Sequence, residues 1–66
     1  MHYIRCQADI LLDNGHNLVG IFCVRPKPGR RMNRQALMAA VTVMAKERSG
    51  AKVKQFLSFV VLEDDS

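Results

Sequence analysis

The residues able to do chemistry in this chain are few, apart from one run. Residues 25–34, "RPKPGRRMNR", hold five of the ten cationic side chains and no acid. Arg30, Arg31 and Arg34 crowd the predicted start of a helix, and its first turn contains no Asp or Glu. The helix dipole makes that end positive, so each cation there costs about 0.3–1 kcal/mol. A sequence shaped for stability alone would place acids at this point. Unsatisfied amides beside clustered arginines suit a phosphate or a carboxylate instead. Arg25, Lys27, Lys52 and Lys54 are expected to join the same end of the molecule. The set predicts anion binding, with nucleic acid as the first ligand class and an acidic protein surface as the second. Only one Tyr and three Phe are present, with no Trp, so base stacking is poorly served. Contact to the phosphate backbone fits better than single-strand readout.

Other reactive side chains do not gather. A zinc site needs four ligands, commonly as close pairs. His2 lies four strand residues from Cys6, about 13 Å at the usual rise, and His16 falls at the far end of a hairpin. No metal site is expected. Cys6 and Cys23 read as thiols that serve as small hydrophobes. No nucleophile elbow, phosphate-binding loop or carboxylate pair is present, and 66 residues leave little volume for a closed pocket. The chain is therefore expected not to be an enzyme, and no cofactor or small-molecule substrate is expected.

The elements that position these residues are marked by periodicity. Ile4, Cys6, Ala8, Ile10 and Leu12 alternate with Arg5, Gln7, Asp9, Leu11 and Asp13, the pattern of a strand with one buried face. This predicts a first strand over about 3–13. "NLVGIFCVR" predicts a second over about 17–25, ended by Pro26, Pro28 and Gly29. Asn33 is a fair N-cap, and Met32 can staple to Leu37. Leu37, Ala40, Val41, Met44 and Arg48 form a helical stripe, and Gly50 can close the helix, predicted over about 33–49. "KVKQFLSFVVLE" predicts a third strand over about 52–62, and residues 63–66 form an acidic tail.

The whole is a single α+β domain, β-β-α-β. A right-handed crossover through the helix sets the third strand beside the first. The sheet is then antiparallel, in order 2-1-3, with the helix on one face. The succession of strands, glycine, basic residues and Ala-rich helix partly resembles the second half of a double-stranded-RNA-binding domain. Here a strand follows the helix and no helix leads, so no residue roles carry over.

Asn14-Gly15 is the preferred dipeptide of a two-residue hairpin turn. Turning there sets Cys6 opposite Cys23, Ala8 opposite Ile21 and Leu11 opposite Leu18. It also places Tyr3, Leu11, Leu18, Phe22 and Val24 on the face without a helix. The third strand would offer either Val53, Leu57, Phe59 and Val61 or Phe56, Val60 and Leu62 to the helix. An uncovered apolar face of Tyr3, Leu11, Leu18, Phe22, Val24, Phe56 and Val60 marks an interface, most simply a homodimer through the sheet. A domain this small buries only about 60% of its unfolded surface and gains from such a partner. Ala36, Ala39 and Val43 lie off the apolar stripe and would allow a second element to approach.

No apolar run nears the length of a membrane span, and "MHYIRC" lacks a secretory signal pattern. A cytoplasmic protein with no membrane partner is expected. Two functions follow. One is a dimeric, nucleic-acid-binding module using the basic loop and helix start. The other is a compact interaction protein of the kind phages and mobile elements use to inhibit host complexes such as CRISPR or restriction systems.

Overall fold

Three residues, Asp13, Asn14 and Gly15, decide how the first two strands meet. The computed structural model describes residues 3–29 and 31–64. Gly15 has φ of 86°, while no described non-glycine residue has positive φ. A two-residue type I′ turn needs positive φ at both central positions, and Asn14 does not supply it. The chain makes a three-residue loop instead. The Gly15 N–H donates to the Leu12 carbonyl at 3.1 Å, and the Leu12 N–H donates to the His16 carbonyl at 2.9 Å. The Asn14 Oδ1 accepts from the His16 N–H at 3.0 Å and braces the bend.

The elements are β1 (Ile4–Leu12), β2 (Asn17–Val24), α1 (Arg34–Ser49) and β3 (Val53–Asp64). The sheet order is β2-β1-β3, antiparallel throughout, with one helix, as the sequence predicts. The third loop residue moves the hairpin register by one. Ile4 now opposes Val24, Cys6 opposes Phe22, Ala8 opposes Gly20 and Ile10 opposes Leu18. Side chains alternate between faces, so a shift of one turns the whole of β2 over. The expected pairs Cys6–Cys23, Ala8–Ile21 and Leu11–Leu18 do not form. Phe22 and Val24 are buried with β1 and the helix, and Val19, Ile21 and Cys23 are exposed.

β3 departs from simple alternation for a different reason. It runs 12 residues along the 9 of β1. Register shifts between Arg5 and Cys6, Asp9 and Ile10, and Leu11 and Leu12 absorb the surplus as bulges. Each inserted residue resets the alternation. Neither expected set therefore faces the helix. Val53, Phe56, Phe59 and Val61 oppose Leu12, Ile10, Ala8 and Cys6. The Phe56 and Phe59 rings meet edge to face, with centroids 5.8 Å apart.

The helix follows its end signals. The Asn33 Oδ1 accepts from the Ala36 N–H at 2.8 Å. Met32 packs against the core, where it can meet Leu37 as a staple. Leu37, Val41 and Ala45 are buried, and Gly50, at φ 72°, donates its N–H to the Lys46 carbonyl. The helix core joins the inward row of β1, whose five residues are each at most 3% exposed.

The register makes a contrast that unfolding measurements can read. Phe22→Ala should cost about 3–5 kcal/mol, the usual range for a buried aromatic. Cys23→Ala, one residue on, should stay within about 0.5 kcal/mol. Urea denaturation of the two variants checks this, and the reverse order would restore the two-residue turn.

Candidate functional site

The basic segment lies where β2 leaves the sheet. Ile4 stands opposite both Val24 and Asp64, so the loop after β2 and the end of β3 share one end of the molecule. Arg25, Lys27 and Arg31 are exposed there. Arg30 lies outside the described residues. The helix start adds backbone donors. Among the first-turn amides, the Ala36 N–H is held by Asn33 Oδ1 and the Leu37 N–H by the Asn33 carbonyl at 3.0 Å. The amides of Arg34 and Gln35 have no partner within the helix, and no acid stands in the first turn.

Arg34 has a structural task as well. Its Nη2 donates to the Phe59 carbonyl at 3.0 Å, and its guanidinium lies 5.1 Å from the centre of the Phe59 ring. It therefore braces β3, and its charge is directed at the sheet as much as at solvent. Lys52 and Lys54 do not join the set. The Asp13 N–H donates to the Lys52 carbonyl at 2.9 Å, and Leu12 opposes Val53. Both lysines thus stand by the hairpin turn, at the opposite end. The cause is the connection itself: α1 carries the chain back about 24 Å, its 16 residues at the usual rise, before β3 begins.

The acidic end of β3 meets the basic end of the sheet. The Arg5 guanidinium lies 3.5 Å from the Glu63 carboxylate, and the Tyr3 hydroxyl donates to the same group at 3.1 Å. Both partners of the ion pair are nearly half exposed, which makes it a weak contact.

The expected apolar interface does not survive the register. Phe22 and Val24 belong to the buried core, while Leu18 and Phe56 pack against it half-buried. Tyr3 and Leu11 are half-buried, and Val60 remains exposed. The open face instead alternates by strand. Arg5, Gln7 and Asp9 of β1 run up its centre, with Cys23, Ile21 and Val19 on one side and Glu63, Val60 and Ser58 on the other. The Asn17 side-chain amide donates to the Asp9 carboxylate at 3.1 Å, a further polar contact on this face. Sequence reasoning missed Val19, Ile21 and Cys23 as surface residues. Reading "DNG" as a three-residue loop would have found them.

Arg48 was placed on the helical stripe by the sequence, but its bracing contacts were not foreseen. Its Nη1 donates to the Ile21 carbonyl at 3.2 Å, and its guanidinium sits 4.3 Å from the centre of the Phe22 ring. It does for β2 what Arg34 does for β3. No helix of the described residues is long and apolar enough to cross a membrane.

The cysteines are both free, one buried and one exposed. Burial, then the neighbouring Cys23 and Asp64, push the Cys6 thiol above its ordinary pKa. The folded thiol is thus harder to ionise than the unfolded one. Stability from this group is whole below the ordinary cysteine pKa of about 8.5 and falls as pH rises past it. Two outcomes are expected. A disulfide reagent at about pH 8, near the ordinary thiol pKa, should label Cys23 readily and Cys6 only when urea opens the fold. The melting temperature should decline above about pH 9, in the range set by the ordinary thiol pKa. Equal labelling rates for the two thiols would contradict this placement. Comparison with protein-family models, curated proteins and solved structures finds no match to the chain.

Proposed function

We propose that the chain is a small non-enzymatic module of the cytoplasm that binds the phosphate backbone of nucleic acid through the loop after β2. The observation that carries this reading is the exposure of Arg25, Lys27 and Arg31 along the loop that leads into a helix start with two amides to spare. Exposed cations beside free backbone donors give an anion both charge and directed hydrogen bonds. Arg30 belongs to the same run of sequence, and Arg34 contributes from its place against Phe59. Nothing in this arrangement reads base edges, so the binding should tolerate sequence.

A second reading is a protein-inhibiting interaction module of the phage or mobile-element type. The exposed apolar side chains along both outer strands favour it, with Val19 61% and Val60 51% exposed. The two readings separate on salt. Phosphate contacts release counterions, so log affinity falls with log salt by about 0.9 per contact.

The expected result is binding to duplex or single strand at about 50 mM salt that weakens by orders of magnitude at about 200 mM. The combined variant Arg25→Glu, Lys27→Glu, Arg31→Glu should cut the salt slope by roughly two to three. Lys52→Glu with Lys54→Glu, at the other end, should change it far less. Fluorescence anisotropy with labelled oligonucleotides measures both. No binding at low salt would end the nucleic-acid reading.

A further inference from the structure

The two outer strands of the sheet are not alike. β3 carries three bulges and two acids at its end. Bulges and charge are devices by which an edge refuses another strand. β2 has neither. "NLVGIFCV" contains no charged residue, no proline and no register shift against β1.

The hydrogen-bonding direction of β2 follows from the turn. Leu12 and His16 pair through the Leu12 N–H, so the even residues of β2 point to β1. Antiparallel ladders alternate, so Val19, Ile21 and Cys23 turn their amides and carbonyls outward. The bond from Arg48 to the Ile21 carbonyl agrees with that direction. A carbonyl has two lone pairs, so Arg48 does not close the edge.

We propose that β2 is a docking edge for β2 of a second copy of this chain, antiparallel about a two-fold axis near Gly20. Three observations select that occupant. First, in this register Val19 lies beside the partner's Ile21, and Asn17 beside the partner's Cys23. No charged residue of the strand itself meets another, the Arg48 guanidinium of each copy lies beside the axis at Gly20, and the exposed Val19 and Ile21 side chains gain apolar cross-strand neighbours. Second, the antiparallel arrangement carries Arg25 and Lys27 past the partner's hairpin turn, where Asp13 is exposed. The basic loops of the two copies meanwhile stand at opposite ends. Third, α1 offers a flank of mostly small and apolar residues on the same side. Arg34 marks the β3 side of the helix and Arg48 the β2 side. At about 100° per residue, Met44, Ala40, Glu47 and Ala36 lie successively beyond Arg48, while Val43 points away from the sheet. A two-fold axis perpendicular to the sheet sets both helices on one face, with these flanks toward each other. The mixed open face has no such self-complementarity, since Arg5, Gln7 and Asp9 occupy its centre.

Light scattering over a concentration series of the full chain tests this. The expected mass is twice 7.4 kDa. Val19→Pro removes an amide that points away from β1, so it should halve the mass while the far-ultraviolet circular dichroism is kept. Leu62→Lys, on the other outer strand, should leave the dimer intact. Should Val19→Pro fail to fold, Asn17→Cys replaces it. Paired outward residues lie about 5.5 Å apart at Cα, within reach of a disulfide. Mild oxidation of the Asn17→Cys chain should then give a covalent dimer through Cys23 and none through the buried Cys6. A chain of single mass at every concentration would overturn the proposal. So would a dimer that survives in folded Val19→Pro or is lost in Leu62→Lys. The same holds if oxidised Asn17→Cys forms no cross-link between its new thiol and Cys23 of the second copy.

Discussion

The rest of the molecule depends on one left-handed glycine. Gly15 at φ 86° lets Asp13, Asn14 and Gly15 form a loop of three rather than two. That choice assigns Phe22 and Val24 to the core and Ile21 and Cys23 to the surface. A two-residue turn would bury Cys23 and Ile21 and bring Phe22 out to water. The aromatic ring is the larger apolar area, and burying such a side chain is worth about 1.5–3 kcal/mol. The loop and the core thus agree: the turn that the backbone accepts is also the one that hides the largest group.

A second agreement concerns the arginines of α1. The core has eleven buried residues among those described, and the helix must cover three strands. Arg34 at its start and Arg48 at its end reach down to opposite outer strands. Each gives a hydrogen bond to a carbonyl and lays its guanidinium on a phenyl ring. Stacking of this kind contributes about 0.5–2 kcal/mol. The cation at the helix start, unfavourable to the dipole, is therefore offset by its contact with Phe59. Arg25, Lys27 and Arg31 are exposed and brace no strand in this way.

The helix and the central strand were legible because their signals are local. Asn33, the stripe through Leu37 and Val41, and Gly50 each act within a few residues. The row Ile4 to Leu12 alternates without interruption. The hairpin register was not legible from its best-known dipeptide, because Asn-Gly serves a two-residue turn and Gly alone serves a three-residue one. The difference lies in φ of Asn14, which the Asx bond to His16 helps to settle. The bulges of β3 left no local mark, since Val, Phe and Leu suit either face. Phe56 and Phe59 share a side only because an inserted residue stands between them. The displacement of Lys52 and Lys54 to the hairpin end could have been read. A helix that returns along the sheet always starts the next strand at the far end.

The bulges of β3 also limit what the sheet can become. A sheet with two interchangeable outer strands can add copies head to tail, and that repetition has no end. Fibres grow in this way. Here one outer strand is regular and the other is interrupted three times. Head-to-tail addition would need the regular strand to match an irregular one, and the ladders fall out of step. The surplus residues in a strand of twelve beside one of nine thus work as a stop against polymer growth, one that acts through backbone geometry rather than through charge.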